Sequence, residues 1–560
     1  MRKKEWKKIA AVMAAAMLLG SVAGCGNQKE NSPDTQSNTQ STESTQNTQT
    51  EAAIEEEGPF SKYEEPVTLT RAQMTSSATQ WENGDTEENN PWTRQALEEF
   101  NIILEDAWAA DGSQYSEKIN LSIASQTLPD VFWVNSNQFA QVTELGLVAD
   151  LMDVYEKYAS DTLKSIMESD EEGFESGIVD GKLMGLSTQH FGVISQMNCV
   201  WIRDDWMQNL GLEAPETMDD LIEICRQFTQ NDPDGNGVDD TYGLAVDKTL
   251  GSLYGLMASY HATPQIWVTG ENGEIAYGAI QPEVKEALGV FQELYKEGII
   301  NQEFAVADNA KITEDLVSGK VGVAIWGSSF GYAPGIDIVK NNGESSIFKP
   351  YAMPSSDGEP VKLSIDWPVS NYLVVNKNCK NPEAAIKMVN MYVRITNEGT
   401  VEEYNTFKNN ERDWGAIPFQ VQNPMADYNQ YVEISKVQDS RDTSNLKPDQ
   451  LAKYEHVINW IDNKDPDSLG QYLQVSKEGA YGVLKDFVDN EWYVRSAFKG
   501  ISTDTMIQKQ SSLDAMQDES FTKIIMGDSL DSFDSFVEQW KSLGGNDITA
   551  EMNELYGNKS

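Results

Sequence analysis

Residues 217–240 read TMDDLIEICRQFTQNDPDGNGVDD, and two physical units meet there. Thr217 and Asp220 have the spacing of a capping box, in which each side chain serves the other residue's orphan backbone N–H. Behind the cap, Leu221, Ile224, Cys225 and Phe228 recur at helical spacing, so Cys225 reads as packing. The segment from Asp232 to Asp240 then sets oxygen-bearing side chains at loop positions 1, 3, 5 and 9, with Gly237 at position 6, where the chain must turn sharply. Alternate residues of a tight turn point inward, so Asp232, Asp234 and Asn236 converge. Val238 offers its carbonyl, and Asp240 closes the site directly or through water. This is the front of an EF-hand-type calcium loop. The bidentate Glu of position 12 is missing, and Gly243 stands there. Calcium held this way is structural and weak, with a dissociation constant of about 10⁻⁴ to 10⁻³ M. The same composition also suits a metal-free turn.

Outward from this stretch, strands and helices alternate. Residues 66–71 read as a first strand. Asn90-Pro91 starts a helix with Leu97, Phe100, Leu104 and Trp108 on its face. Leu128-Pro129-Asp130-Val131-Phe132-Trp133 is a turn into a buried strand. Residues 282–297 form an amphipathic helix with Val284, Leu288, Phe291 and Tyr295 on one stripe and Gly298 at its end. Residues 321–326 and 372–375 are strands, and 382–394 are a helix. The alternation predicts α/β domains with mostly parallel sheets. A chain of 560 residues has room for two or three of them.

The N-terminus carries a different message. Arg2, Lys3, Lys4, Lys7 and Lys8 precede an apolar run from Ile9 to Leu19, too short to span a bilayer. Val22-Ala23-Gly24-Cys25 resembles a lipobox, with Val22 where Leu is preferred. Cys25 would then carry a diacylglyceryl group, and stable anchoring needs at least two such apolar chains. Residues 26–58 are polar and small and contain no aromatic ring. Such a segment cannot offset its ordering entropy and reads as a tether, spanning roughly 30 Å as a flexible coil.

Composition narrows the function further. The 42 basic and 89 acidic side chains give a formal net charge of −47, which opposes binding to nucleic acid phosphates. Only Cys199, Cys225 and Cys379 follow Cys25, so a disulfide framework is excluded and a single bridge stays open. The three histidines, His190, His261 and His456, lie in no zinc-binding spacing. No Gly-x-Ser-x-Gly elbow and no phosphate-cradling Gly-Lys loop occurs. A pair of carboxylates for glycoside cleavage stays possible among so many acids.

Several short motifs follow one another in a familiar order. They are Leu128-Pro129-Asp130-Val131, the segment from Asp180 through Leu186, Trp201 to Trp206 with Leu210-Gly211-Leu212 and Pro215, and the Asp232 loop. Ser318-Gly319-Lys320-Val321-Gly322 through Trp326 comes next, and Phe533 to Gly545 with Glu551 to Tyr556 closes the chain. In this order they resemble the sugar-binding family 1 of extracellular solute-binding proteins that serve bacterial ABC transporters, over residues 59–560.

The resemblance implies an α/β, two-lobed periplasmic-binding-protein-like fold with a ligand cleft between lobes joined by hinge segments. It places the signal peptide at 1–24 and the tether at 25–58. The first lobe takes 59–190 and 370–450, and the second takes 191–369 and 451–560. The crossings fall near 188–198 and 363–371. It further implies a carbohydrate ligand, permease subunits as partners, lipid anchoring at the outer face of the cell membrane, and no catalysis. An anchored carbohydrate-cleaving enzyme and a receptor for a non-sugar solute are the alternatives. Sugar faces pack on rings, and carboxylates, amides and Arg bind the hydroxyl rim. The candidate ligand residues are Trp81, Asp130, Trp133, Arg203, Trp326, Asp366 and Trp367, with Trp326 equally suited to a core.

Overall fold

The capped helix of residues 217–230 is present as Met218–Gln230. Thr217 Oγ1 accepts the Asp220 N–H at 3.2 Å, and Asp220 Oδ2 accepts the Thr217 N–H at 2.9 Å. The structure is a computed structural model that describes residues 57–557 apart from 76–80, 82–83, 190–191, 409–418 and 422. The signal peptide, Cys25 and tether residues 26–56 lie outside the described residues.

In chain order the strands used below are β1 (Val67–Thr75), β2 (Ile102–Asp111), β3 (Val131–Asn135), β4 (Leu186–Gln189), β5 (Asn198–Arg203) and β6 (Tyr242–Leu244). They continue with β7 (Val321–Gly327), β8 (Phe348–Tyr351), β9 (Leu363–Ile365), β10 (Val369–Val375) and β11 (Tyr493–Arg495). A five-stranded sheet runs β2-β1-β3-β10-β4, and a four-stranded sheet runs β8-β5-β7-β6. Both are mixed, which corrects the expectation of mostly parallel sheets. β1 is parallel to β2 and β3, but β10 is antiparallel to both of its neighbours. In the second sheet only the β7–β6 pair is parallel. β10 is the chain's return from the other lobe, so it enters the sheet from the opposite end.

Side chains alternate across the first sheet as the two-residue strand period requires. Val131 and Leu373 face one buried cluster, and Phe132 and Val374 face another. One correction follows from the same period. The helix begun at Asn90 spans Pro91–Phe100 and stops at Asn101, whose φ is 63°. Leu104 and Trp108 therefore belong to β2. A four-residue spacing satisfies one helical turn and also two strand repeats, so the sequence pattern fitted both.

A third cluster gathers the second sheet and its helices, from Val193 to Ile365 and again from Tyr431 to Met552. The chain thus leaves the first lobe after β4, returns between Ile365 and Trp367, and leaves once more between Val421 and Met425. This corrects the expected boundary at residue 450. Tyr431 and Ile434 of the helix Ala426–Val437 are buried in the second-lobe core. Cys199, Cys225 and Cys379 are all unbridged.

The tether's predicted end also moves. Residues 57–63 are held against the first-lobe helix Pro382–Asn397. Lys387, only 2% exposed, donates through Nζ to Ser61 Oγ at 2.7 Å, to Gly58 O at 3.1 Å and to Ser61 O. The Tyr63, Phe100 and Tyr158 rings surround the ammonium at 5.4, 5.7 and 5.4 Å. One turn on, Asn390 Nδ2 donates to Pro59 O at 3.1 Å. One turn back, Tyr63 Oη donates to Glu383 at 2.8 Å. Removing residues 57–63, or Lys387→Ala, is expected to lower first-lobe stability by about 2 kcal/mol or more, because buried carbonyls lose their donor. Urea unfolding measures this, and truncation at residue 56 serves as the control expected to unfold like the longer chain.

Candidate functional site

Three strand ends and three crossings define the region between the lobes. In the first sheet, Thr75 pairs with Asp111 and Asn135 with Asn371, so the ends of β1, β2 and β3 share an edge with the start of β10. In the second sheet, Asn198 at the start of β5 pairs with Gly327 at the end of β7. The crossing segments feed these same ends. Side chains there face the space between two separately packed bodies.

Asp366 and Trp367 occupy the second crossing. The Asp366 backbone N–H donates to Gln196 Oε1 of the first crossing at 2.9 Å, tying two crossings together. The Asp366 side chain is exposed, yet burial by surrounding protein holds its carboxyl above the usual range. Trp367 is 9% exposed and packs in a first-lobe core. Lys499 Nζ covers its ring at 5.0 Å, and its indole N–H has no acceptor. One face of this ring is already occupied, so Trp367 serves as a wall.

On the second lobe, Trp326 is half-buried at the end of β7 with its edge toward Phe330 at 6.1 Å. Its carbonyl accepts the Trp201 indole N–H at 3.1 Å. Just beyond lies a polar chain. Tyr332 Oη donates to Gln474 Oε1 at 3.1 Å, and Gln474 Nε2 donates to Ser328 Oγ at 3.2 Å. Ser195 Oγ donates to Asp427 and stands 3.0 Å from Tyr481 Oη. Tyr332 is 36% exposed, yet burial raises its phenol pKa, with a smaller contribution from the Asp427 charge. Its ring lies on Gly470, where an added Cβ would come within 2.5 Å of it. Together these residues offer two accessible rings beside hydroxyl, amide and carboxylate groups. No period or motif marks Tyr332, Gln474, Ser195 or Asp427 in the sequence, because they converge from four separate segments.

Other residues named from the sequence lie elsewhere. Arg203 ends β5 on the side away from Asn198. It pairs with Asp205 at 2.8 and 2.7 Å and stacks over Trp206 at 4.8 Å, which makes it a packing residue. Asp130 precedes β3 at the far edge of the first sheet. It accepts Thr70 N–H at 2.9 Å and Thr70 Oγ1–H at 2.7 Å, fastening β1 to β3. Trp133 is mid-strand, packs against both first-lobe clusters, and meets the Tyr115 hydroxyl through its backbone. Trp81 is half-buried, and its neighbours 76–80 and 82–83 lie outside the described residues.

The Asp232 loop follows Met218–Gln230 on the second lobe. Asp232, Gly235 and Gly237 have φ of 46°, 69° and 78°, so the chain coils tightly. Asp232 accepts the N–H of Asn236 at 3.1 Å and of Gly237 at 2.9 Å. Asn236 Nδ2 donates to Asp234 at 2.8 Å and to Asp240 at 3.4 Å. Burial and the nearby Asp232 and Asp240 charges raise the Asp234 carboxyl. Among the described residues no three acidic, His or Cys side chains already form a metal-binding group. Asn236 stands in the middle of this loop and bridges Asp234 and Asp240 through its amide.

The profile of the bacterial extracellular solute-binding proteins matches residues 84–394. Lipoprotein LipO of Bacillus subtilis is 27% identical over 477 residues, which cover 82% of this chain and 88% of the relative. A human-milk-oligosaccharide (HMO) binding, ABC-transporter-associated protein of Bifidobacterium longum infantis shares the fold. Its TM-score is 0.63 at 16% identity, over 88% of this chain and 99% of that one. An EF-hand mutant of FusA from Streptococcus pneumoniae, solved with fructo-nystose, has a TM-score of 0.56 at 16% identity, over 88% and 99%.

The placement of Arg203 yields a direct test. Arg203→Met strands the Asp205 carboxylate and should cost about 3 kcal/mol, as breaking a buried ion pair does. Double replacement with Asp205→Leu should recover most of that loss. Chemical denaturation followed by Trp fluorescence reads both.

Proposed function

The chain belongs to the bacterial extracellular solute-binding proteins, and from that premise we propose that it is a lipid-anchored receptor that captures an oligosaccharide for an ABC importer without changing it chemically. The observation that carries this reading is the second-lobe wall of the cleft. Trp326 and Tyr332 would present rings there, and Gln474, Asp427 and Ser195 would present amide, carboxylate and hydroxyl groups, with the buried Ser328 holding Gln474 from behind. Rings suit the C–H faces of sugars, and the polar set suits their hydroxyl rims. The relatives point the same way, since FusA was solved with a fructan oligosaccharide and the Bifidobacterium protein is described as HMO-binding. The first crossing and Asp366 would form the floor of the site.

Binding is tested by calorimetry against a panel of neutral and acidic oligosaccharides, with the sugars recovered and analysed. Stoichiometric heat with intact sugar is expected, and cleavage products would turn the reading to an anchored enzyme. Tyr332→Ala should weaken binding about tenfold or more while leaving stability nearly unchanged, as an accessible anchor ring does. Trp367→Ala should instead cost about 3 kcal/mol of stability, as a core ring does.

Anchoring rests on Cys25 and gains support from the lipoprotein relative LipO. No helix among the described residues is long and apolar enough to cross a membrane. The protein would thus be held at the outer membrane face by acyl chains. Cys25→Ala should abolish lipid labelling and release the protein into the medium.

The Asp232 loop would hold calcium through Asp232, Asp234, Asn236, the Val238 carbonyl and Asp240. The crowding that raises Asp234 is what a cation would relieve. The ion would supply structural rigidity to one lobe and take no part in ligand chemistry. Chelator should lower the melting temperature, and Asp232→Ala with Asp234→Ala should remove that response. A carboxyl raised by folding stabilises the folded state below its unfolded pKa and loses that contribution as pH rises through the folded value. In chelator, therefore, wild type should gain stability relative to Asp234→Asn between pH about 7 and about 4. In millimolar calcium, protons compete with the ion and the sign of that difference should reverse.

A further inference from the structure

Residues 496–502 begin and end in the second lobe but lie on the first. Their root is β11, which pairs in parallel with β9, and Leu363 and Ile365 of β9 are in the second-lobe core. Ser496 N–H donates to Ile365 O at 2.9 Å and Ala497 N–H to Trp267 O at 2.8 Å. At the far end, Thr503 caps the helix Asp504–Ile525, whose Met506 and Leu513 are again in the second-lobe core. Tyr556 Oη, also of the second lobe, donates to Ile501 O at 3.2 Å.

Past Phe498, whose ring meets Tyr556 of the second lobe at 6.4 Å, the polar side-chain partners are on the first lobe. Lys499 Nζ pairs with Glu172 and covers the Trp367 ring. Ser502 N–H donates to Asn137 Oδ1 at 2.8 Å, and Asn137 Nδ2 returns a bond to Ser502 Oγ at 3.1 Å. Gly500 has φ +85°, and a Cβ there would meet Ser136 Oγ at 2.4 Å. Only glycine lets the backbone come this close. Ser136 and Asn137 begin the helix Ser136–Glu144, directly after β3, at the cleft edge of the first sheet.

We propose that residues 496–502 are a strap carried by the second lobe that latches onto Ser136, Asn137 and Glu172 of the first, and that this latch sets the balance between open and closed cleft. The proposal rests on reading the chain as a two-lobed receptor. The strap differs from the three crossings, because the chain does not pass from lobe to lobe through it. Rotation about the crossings carries Asn137 and Glu172 with one body and Ser502 and Lys499 with the other. Hydrogen bonds weaken steeply within a fraction of an ångström, so the paired amide contacts hold over only a narrow range of lobe angles. Contacts made at one angle and lost at others turn a smooth hinge into two discrete states. Drawing the strap onto the cleft edge of the first sheet brings the lobes together, so the latched form is the closed one.

The test uses the full-length protein and the variants Ser502→Ala, Ser502→Thr and Gly500→Val, first without any sugar. Ser502→Ala and Gly500→Val should speed amide exchange about tenfold in residues 136–140 and 499–503 and shift small-angle scattering toward a more extended form. Ser502→Thr keeps the hydroxyl and should behave as wild type. A pooled set of kestose, nystose, maltotriose and xylotriose then serves as the ligand probe. Weakening of about threefold or more in Ser502→Ala is expected, as the closed fraction falls. Unchanged exchange and scattering in Ser502→Ala overturn the proposal, whether or not Gly500→Val folds. Faster exchange with equal sugar affinity also overturns it, since the latch would then have no bearing on the cleft. Faster exchange and opening with no sugar bound by any form leave the latch standing and strike at the carbohydrate reading alone.

Discussion

The structure depends on one constraint of connectivity: β10 must lie between β3 and β4 in the first sheet. β10 follows residues 193–365, which build most of the second lobe. The first sheet is therefore incomplete until the chain has gone out and come back. Val374 and Val375 of β10, both fully buried, pack on opposite faces of that sheet. The second sheet, by contrast, is built from strands between residues 198 and 351 alone. The crossings are close together because β4 and β10 are neighbours, which leaves the strand ends beside them free to form a cleft. A ligand between the lobes then touches groups whose relative positions change with the hinge.

That constraint also explains the chemistry of the crossings. Asp366 sits between β9 of one lobe and β10 of the other, so protein crowds it without covering it. Its carboxyl is raised by burial. Trp367, one residue on, is drawn into the first-lobe core and capped by Lys499. Adjacent residues thus differ, Asp366 exposed and Trp367 packed into the first-lobe core. Tyr332 reaches the region between the lobes from the second lobe because Gly470 lets its ring lie flat against the neighbouring helix.

Local signals in the sequence were legible where the physics is local. The Thr217 capping box, the tight Asp232 loop and the strand after Leu128-Pro129-Asp130 need only neighbours in the chain. The order of short motifs carried the family and with it the two-lobed fold. Reading failed where two periods coincide, as at Leu104 and Trp108, and where one segment changes lobe, as near residue 422. It failed again for Arg203 and Asp130. Both looked like ligand groups because they are charged and near Trp or a strand, yet each is consumed by a partner at the far edge of its sheet. The candidate group of Tyr332, Gln474, Ser195 and Asp427 had no signal at all, since residues brought together by topology have no sequence spacing.

The two attachments made by long-range polar contacts divide the labour between the lobes. Lys387 pins residues 58–61 to the first lobe through a buried ammonium, which burial makes less basic and three rings help to hold. The strap at 496–502 belongs instead to the second lobe. A buried, multiply bonded cation is costly to release, whereas an ion pair and two hydrogen bonds near the surface are weak enough to exchange. The strong contact therefore lies where the chain needs a fixed base, and the weak ones lie where it needs to move. The buried ammonium thus makes residues 58–61 part of the first lobe, whereas the strap touches that lobe through a few groups near the surface.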